Sequence, residues 1–299
     1  MINPGPAFII SASRRTDIPA FYSEWFIRRI REGEVYYRNP FGGQLLHASL
    51  KPGDVLAVVF WSKDYTAFMR YLPELEDRGY SFYFHYTITG LPEIFEKNVP
   101  HLSKTSENLM ELSERYSPDH VIWRFDPIII SDVTPPDHYI KTFSQLAEKF
   151  RGKVKRCIIS FVHFYSKVQR NMIFPLLQMG IKVTDPNVDE KKDILSSLYE
   201  ISRPLGMEIY SCCNSELTGA EIKKAHCIDG SLIEKLFPGK RCRFKTVPTR
   251  KGCGCTYSKD IGAYNTCIHG CIYCYANADK EKAGERRRSH DPYEPILLQ

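Results

Sequence analysis

The chain has 299 residues, of which 43% are hydrophobic and 25% are charged. This composition is typical of a folded globular protein and argues against a disordered chain or a fibrous repeat. The formal net charge of +6 at pH 7 permits contact with nucleic acid or acidic ligands without requiring it.

Near the N-terminus the only apolar run, Ala7–Ile10, is too short for the core of a signal peptide. No segment approaches the ~20 apolar residues that a membrane helix needs. We therefore expect a cytoplasmic protein that does not enter a membrane.

Short runs of β-branched and aromatic residues alternate with amphipathic stretches and predict six strand–helix units. The predicted strands are Ala7–Ser11, Val55–Phe60, Ser81–Tyr86, His120–Phe125, Lys155–Phe161 and Met207–Ser211. Helices are expected near Tyr22–Arg31, Lys104–Tyr116, Pro136–Phe150 and Asp189–Ser202, and a hairpin around Asn39–Gly43. This alternation predicts parallel strands, in an open sheet or a barrel.

Six units fall short of the eight in a full TIM barrel, so the fold class that we expect is α/β, a partial (βα)6 TIM-like barrel. The barrel is predicted to occupy residues 1–211. A cysteine-rich, cluster-binding segment would follow at 212–279 and a charged tail at 280–299.

Charged or imidazole side chains stand where most of the predicted strands end, at the edge where parallel strands form a functional mouth. They are Arg14, Arg15 and Asp17 after strand one, Lys63 after strand two, His85 in strand three, Arg124 and Asp126 at strand four, and His163 beyond strand five. Together they predict a polar chamber for a cofactor or substrate. For single residues, an internal ion pair or a buried structural histidine is the competing interpretation.

The chain has ten cysteines, nine of them between Cys212 and Cys274. In a reducing compartment such a block favours metal ligation over disulfides. The last three, Cys267, Cys271 and Cys274, form a CxxxCxxC cysteine triplet. Three thiolates on one loop can hold three irons of a [4Fe–4S] cluster and leave the fourth iron open. A zinc site closed by His269 or a distant cysteine is the alternative.

A second metal site is predicted from the remaining cysteines of the block. Cys212, Cys227, Cys253 and Cys255 are the preferred ligands, with Cys213 and Cys242 in reserve. Because Cys212 and Cys213 would point in opposite directions on a strand, at most one of them is expected to ligate. An iron–sulfur cluster and zinc both fit this set.

The triplet, with Tyr273 before its last cysteine, resembles the cluster-binding motif of the radical S-adenosylmethionine superfamily. The stretch HGCIYCYA is similar to that of spore photoproduct lyase and its relatives. The early SASRRTDIPAFY and the later GCGCTYSKDIGAYNTCIHGCIYCYAN resemble the family catalogued as domain of unknown function 1848.

The superfamily resemblance implies an enzyme in which a [4Fe–4S] cluster on the triplet binds S-adenosylmethionine and reductively cleaves it to a 5′-deoxyadenosyl radical. It implies an electron donor such as flavodoxin or ferredoxin, and an auxiliary [4Fe–4S] cluster in the second group. The substrate, a small molecule or a nucleic acid, stays open. Tyr273 and the polar strand-end residues would line the cofactor chamber.

The chain departs from the superfamily pattern in two places. The cysteine loop comes after strand six instead of strand one, and WSKD stands at strand two where the superfamily often has a GGE stretch. Two alternatives are therefore kept. One is a nucleic-acid-binding protein stabilised by zinc or iron–sulfur, and the other is an electron-transfer protein with two closed clusters.

Overall fold

A parallel β-sheet is the frame of the protein in a computed structural model that describes residues 7–241, 245–250 and 252–298. The strands are β1 (Phe8–Ala12), β2 (Glu34–Arg38), β3 (Leu45–Ser49), β4 (Val55–Ser62), β5 (Phe82–Thr87), β6 (Val121–Ile128), β7 (Ile130–Ser131), β8 (Arg156–Phe161), β9 (Val183–Thr184), β10 (Glu208–Ser211), β11 (Ile222–Lys224) and β12 (Lys259–Asp260).

Eight of these strands pair in the order β11-β10-β8-β6-β5-β4-β1-β12, and every pairing in this sheet is parallel. The six predicted strands are confirmed as its central members. Within the described residues no pairing joins β11 to β12, so closure into a barrel is not observed. The architecture is an α/β fold with one eight-stranded parallel sheet.

The helices surround this sheet and include the four that the sequence predicts. They are α1 (Ile18–Phe21), α2 (Ser23–Glu32), α3 (Leu72–Asp77), α4 (Leu102–Arg115), α5 (Pro136–Lys149), α6 (Ser166–Val168), α7 (Phe174–Gln178), α8 (Val188–Ser202), α9 (Gly230–Leu236) and α10 (Lys280–Arg288). Proline begins α5, where its missing N–H has no helical partner. A capping box formed by Asn187 and Glu190 begins α8.

Two antiparallel pairs lie outside the main sheet. The predicted hairpin is confirmed as β2 and β3, which pair from Glu34 with Ser49 to Arg38 with Leu45. The short strands β7 and β9 form the second pair. Within the described residues no helix is long and apolar enough to cross a membrane.

One face of the sheet packs against the helices. Alternate strand residues such as Ile10, Val58, Phe84 and Trp123 share a hydrophobic core with side chains of α2, α4, α5 and α8. Successive side chains of a strand point to opposite faces. The strand residues between those of the core therefore lie on the other face of the sheet, which a different part of the chain must cover.

The cysteine-rich segment covers the opposite face. Ile9, Ala57, Tyr83 and Ile122 of the strands form a separate buried cluster with Cys212, Cys227, Cys253, Cys255 and side chains of α9. The two edge strands β11 and β12 also come from residues 212–279, so this segment completes the sheet at both ends. The expected domain boundary at residue 211 stays a prediction.

Candidate functional site

The edge strand β12 places the cysteine triplet beside the loop that follows β1. β12 pairs in parallel with β1, with Ser11 opposite Asp260. Since parallel strands end at the same edge of a sheet, the triplet's loop and Ser13–Asp17 start side by side. The cysteine loop is late in the chain but lies next to the first strand in space.

Asp260 fixes this arrangement through a set of short hydrogen bonds. Its carboxylate accepts from the hydroxyls of Ser11 and Ser13 at 2.8 and 2.7 Å. It also accepts from the backbone N of Arg14 at 2.8 Å and from Nε of Arg15 at 3.0 Å. Burial alone would raise the pKa of Asp260, but the two guanidinium groups and these donors lower it to about 2. The carboxylate therefore stabilises the fold as an anion.

We predict that Asp260→Asn lowers the free energy of unfolding at pH 7 by about 2 kcal/mol, because the pKa is lowered by nearly two units. A carboxyl with a lowered folded-state pKa stabilises the fold above its ordinary pKa. The difference between the two proteins should therefore shrink as the pH falls from about 4 toward 2. Urea unfolding at equal metal content measures it.

The exposed Asp77→Asn is the matched control and should change the stability by less than about 0.5 kcal/mol. Equal stability of Asp260→Asn and the unaltered protein at pH 7 would contradict the role given to Asp260.

The three residues of the triplet are half-buried, and their buried thiols lie near enough to influence one another electrostatically. Burial raises the pKa of each of them, that of Cys271 to about 12, and negative charge on neighbouring thiols raises it further at Cys267 and Cys271. Three gathered thiolates therefore need a positive partner, which a metal centre would supply.

The segment Phe95–Asn98 holds the cysteine loop in place. The backbone N of Ile272 donates to the Phe95 carbonyl at 3.0 Å, and the N of Asn98 donates to the His269 carbonyl at 2.9 Å. Gly270 has a φ of +74°, and a Cβ there would meet the Asn98 amide at 3.2 Å. The sequence CxHGC is thus suited to a tight turn against this segment.

A buried network connects Lys63 to the triplet. Glu96, buried between them, accepts from Nζ of Lys63 at 2.7 Å and from the hydroxyl of Tyr273. Burial would lower the pKa of Lys63, but Glu96 and Cys271 raise it above its usual value. Lys63 thus remains a cation beside Cys271. Tyr273 and Lys63, both predicted site residues, are brought together by Glu96.

Asp17 and His269 form a buried pair, with 2.7 Å between Oδ2 and Nε2. Asp17 also accepts from Ser62 at 2.7 Å and from the backbone N of Lys63 at 2.9 Å, and it caps α1 by accepting from Ala20. The Asp17 carboxylate is therefore hydrogen-bonded to four protein groups. It joins the ends of β1 and β4 to the cysteine loop.

Five cysteines of the predicted second site lie in one group, Cys212, Cys213, Cys227, Cys253 and Cys255, which we call the second cysteine group. Sγ of Cys212 is 3.5 Å from that of Cys213 and 3.7 Å from that of Cys227. Sulfur contacts continue from Cys213 to Cys253 and from Cys227 to Cys255. Cys242 lies outside the described residues.

Cys212 and Cys213 were expected to point apart if both were still on the strand, and the structure does not meet that condition. The strand β10 ends at Ser211, and Cys213 has a φ of 59°. The chain therefore turns immediately after the strand, and both sulfurs reach the same group.

Two arginines donate to the sulfurs of the second cysteine group. Arg124 donates to Cys227 at 3.2 Å, and Nε of Arg250 donates to Cys213 at 2.8 Å. The pKa of Cys212 lies well below its usual value because the thiols of Cys213 and Cys227 hydrogen-bond to its sulfur and both guanidinium groups lie near. The group therefore stabilises thiolates at Cys212 and Cys253, whereas hydrogen bonding to neighbouring thiols and burial raise the pKa values of Cys213 and Cys227.

In the described part of the chain, no group of three or more histidine, cysteine, aspartate or glutamate side chains is arranged so that it could hold a metal ion. The triplet and the second cysteine group are thus gathered sulfur donors, and metal binding at either of them is a proposal.

A stacked column joins the predicted residues His85, Arg124 and Asp126. The His85 ring stacks on Trp61 with centroids 4.2 Å apart, and the Arg124 guanidinium lies 5.3 Å from the Trp61 ring. Arg124 also pairs with Asp126. Burial and the charge of Arg124 lower the pKa of His85 to about 3, while its Nε2 lies 2.7 Å from the Cys227 carbonyl. His85 is therefore a neutral supporting residue.

A cavity of about 150 Å³ lies where β8 and β10 end, next to Cys212. His163 and Lys191 line it, and Lys191 pairs there with Asp185 at 2.7 Å. Its lining includes the polar side chains of Ser160, Asp185 and Asn214, which offer hydrogen-bond partners to a small polar molecule. Of the predicted site residues, His163 and Cys212 line this space.

Arg14 and Arg15 both pair with Asp260, at 3.5 and 3.0 Å, but they differ in what else their guanidinium groups bind. Nε of Arg15 bonds Asp260, and its Nη1 donates to the Arg38 carbonyl at 3.0 Å, so Arg15 serves the structure. Arg14 Nη1 is buried and has no hydrogen-bond partner among the described residues. The Tyr275 hydroxyl donates to the Arg14 carbonyl at 2.7 Å, which places Arg14 beside the end of the triplet's loop.

Sequence reasoning missed three residues that organise the site, Glu96, Asp260 and Arg250. Glu96 and Arg250 lie in irregular segments without a motif, and the two-residue strand that carries Asp260 has no apolar run. Two signals were available in the sequence. Asp260 is the acidic residue of SKD shortly before the triplet, and Arg250 is the arginine shortly before the CGC stretch of the second cysteine group.

The fold and the site define an α/β protein with one parallel sheet and two groups of cysteines at the mouth of its strands. The chain belongs to the family described as domain of unknown function (DUF1848), whose sequence profile matches residues 9–276. The early motif of the sequence falls inside this match, and so does the late motif up to Ala276. No curated protein matches the chain.

Proposed function

We propose that the protein is a radical S-adenosylmethionine enzyme whose catalytic [4Fe–4S] cluster is held by Cys267, Cys271 and Cys274. The observation that carries this proposal is the parallel pairing of β12 with β1. In the superfamily the cysteine loop follows the first strand of the sheet. Here it follows the strand that occupies the edge beside β1, which gives the same place in space from a different place in the chain.

The donor set fits such a cluster. The three thiols are gathered on one loop whose cysteine residues are half-buried, and three protein ligands suit a centre with one open coordination position. The cluster would supply one-electron cleavage of the sulfonium, giving methionine and a radical that abstracts hydrogen from the substrate. Lys63 holds positive charge beside Cys271, and Asp17 and Glu96 hold the loop in place.

Arg14 is the residue we assign to the carboxylate of S-adenosylmethionine. Its Nη1 is buried without a partner among the described residues, and a guanidinium suits a carboxylate ligand. We predict that Arg14→Gln raises the KM for S-adenosylmethionine by about 10- to 100-fold, because the bond to a charged group is lost.

The matched control for Arg14 is Arg28→Gln, which removes a partly exposed guanidinium on α2 that pairs with Glu24. Cleavage kinetics at varied S-adenosylmethionine measure both variants. An unchanged KM in Arg14→Gln would refute this assignment.

For the second cysteine group we propose an auxiliary [4Fe–4S] cluster. The support is its charge, since Arg124 and Arg250 donate to sulfurs that would carry negative charge. The cavity beside Cys212 suggests that a small substrate, or a small part of a larger one, approaches from this side.

One observation favours a second candidate, a zinc-stabilised nucleic-acid-binding protein without radical chemistry. The Sγ distances of 3.5 and 3.7 Å are near the edge of a tetrahedron with Zn–S bonds of ~2.3 Å. A cluster of four irons would hold its cysteines farther apart, because the whole cube lies between them.

Anaerobic reconstitution with iron and sulfide tests the proposal against this alternative. We expect two clusters by iron analysis and, after reduction, an electron paramagnetic resonance signal that changes when S-adenosylmethionine binds. Stoichiometric zinc without iron, or a signal indifferent to S-adenosylmethionine, would favour the second candidate or an electron-transfer protein.

A further inference from the structure

Three lysines lie around the cysteine triplet on the surface of the protein, and we call Lys97, Lys167 and Lys280 the lysine face. Lys97 follows Glu96, whose backbone forms a bridge with Cys271. Nζ of Lys167 donates to the Tyr275 carbonyl at 2.9 Å. Lys280 begins α10, and the negative charge of Cys271 and Cys274 reaches it.

None of these lysines has a carboxylate within 4.0 Å among the described residues. Elsewhere on the surface of the described residues, Lys153 and Lys155 are paired with acidic side chains, whereas Lys51, Lys104 and Lys141 also have no carboxylate within this distance. Asp279, in the same stretch, is engaged as the cap of α10. The lysine face differs from other unpaired lysines in its position, because it places positive charge around the half-buried residues of the triplet.

Exposed apolar side chains lie in the segment that follows Lys167 in the chain. Phe174, Leu177 and Met179 are 58%, 61% and 63% exposed. They belong to the chain around α7, whose buried side packs against Ile272 and Tyr273 of the cysteine loop. A protein-binding surface typically combines apolar side chains at its centre with polar or charged side chains at its rim. A nucleic acid would use the charge but not this apolar part.

We propose that the lysine face is the docking surface for an acidic one-electron carrier protein that reduces the cluster on the triplet. The inference rests on the proposed function and adds where the electron enters. One electron passes from the carrier to the cluster and then to the sulfonium, whose C–S bond breaks. The carrier is thus oxidised once for each methionine and 5′-deoxyadenosyl radical formed.

The test compares two reductants with the same reconstituted full-length protein. In Lys97→Glu/Lys167→Glu/Lys280→Glu, 5′-deoxyadenosine formation driven by reduced flavodoxin should fall at least about tenfold at low ionic strength. Formation driven by dithionite, which needs no docking surface, should stay within about twofold. High salt should lower the flavodoxin-driven rate of the unaltered protein, because salt screens the attraction between the carrier and the lysine face. The rates of the unaltered protein and the triple variant should therefore differ less at high salt.

The matched control is Lys51→Glu/Lys104→Glu/Lys141→Glu, which makes the same change of net charge at exposed lysines elsewhere. It should leave both rates within about twofold. Equal flavodoxin-driven rates in the two triple variants would overturn the inference, as would loss of the dithionite-driven rate in the first. If that variant loses binding of a labelled single-stranded oligonucleotide but keeps its flavodoxin-driven rate, the surface binds nucleic acid and the proposal is wrong.

These outcomes are separate from failure of the proposed function. If the unaltered protein forms no 5′-deoxyadenosine even with dithionite, the radical chemistry itself is wrong.

Discussion

Cys271→Ala is expected to lower the rate of 5′-deoxyadenosine formation by about 10³-fold or more, since the ligands of one centre act as a unit. Cys271 is the middle member of the triplet and lies beside the cation of Lys63. Removing its thiolate leaves two ligands for a cluster that needs three from the protein. The second cysteine group should keep its metal, so about half of the iron should remain.

Cys157→Ala is the matched control, because Cys157 is fully buried in the core and stands apart from both groups of cysteines. It should keep the activity and the full metal content. If Cys271→Ala keeps its rate, the triplet does not hold the catalytic centre. If Cys157→Ala loses activity as strongly, the effect of Cys271→Ala reflects folding.

Arg124→Leu is expected to destabilise the fold by about 3–5 kcal/mol, because it leaves a buried charge without its partner. The Arg124 side chain is 9% exposed and lies between Asp126 and the sulfur of Cys227. Its loss leaves the Asp126 carboxylate, at 15% exposure, without its counter-charge. Urea unfolding measures the change, and metal analysis should show weaker retention at the second cysteine group.

Arg151→Leu makes the same substitution in an exposed pair with Glu148 and should cost less than about 1 kcal/mol. The double variant Arg124→Leu/Asp126→Asn should recover part of the loss, since it removes the unpaired charge. A loss in Arg124→Leu no larger than that in Arg151→Leu would show that Arg124 does not stabilise the site in this way.

The central strands could be predicted because each is a continuous run of β-branched and aromatic residues. The two-residue β12 could not, since Lys259 and Asp260 carry no apolar pattern. The residues that bind the Asp260 carboxylate, Ser11, Ser13 and Arg15, are more than 240 positions away in the sequence. The early expectation of a partial barrel therefore lacked the strand that explains where the cysteine loop goes.

The candidate site was partly predictable for a similar reason. The spacing of Arg124 and Asp126 places both on one face of a strand, and that face meets the second cysteine group. The functions of Asp17 and Arg15 were not predictable, because their partners His269 and Asp260 are distant in sequence. Cys213 was held in reserve because a strand was assumed where the chain turns.

Reductive cleavage of S-adenosylmethionine tests the central claim most directly. The reconstituted, dithionite-reduced protein is incubated with S-adenosylmethionine under anaerobic conditions, and 5′-deoxyadenosine is measured by mass spectrometry. We predict 5′-deoxyadenosine with the unaltered protein and Cys157→Ala, and only background with Cys271→Ala. No 5′-deoxyadenosine from protein with a full iron load would contradict the assignment of the triplet as a radical S-adenosylmethionine centre.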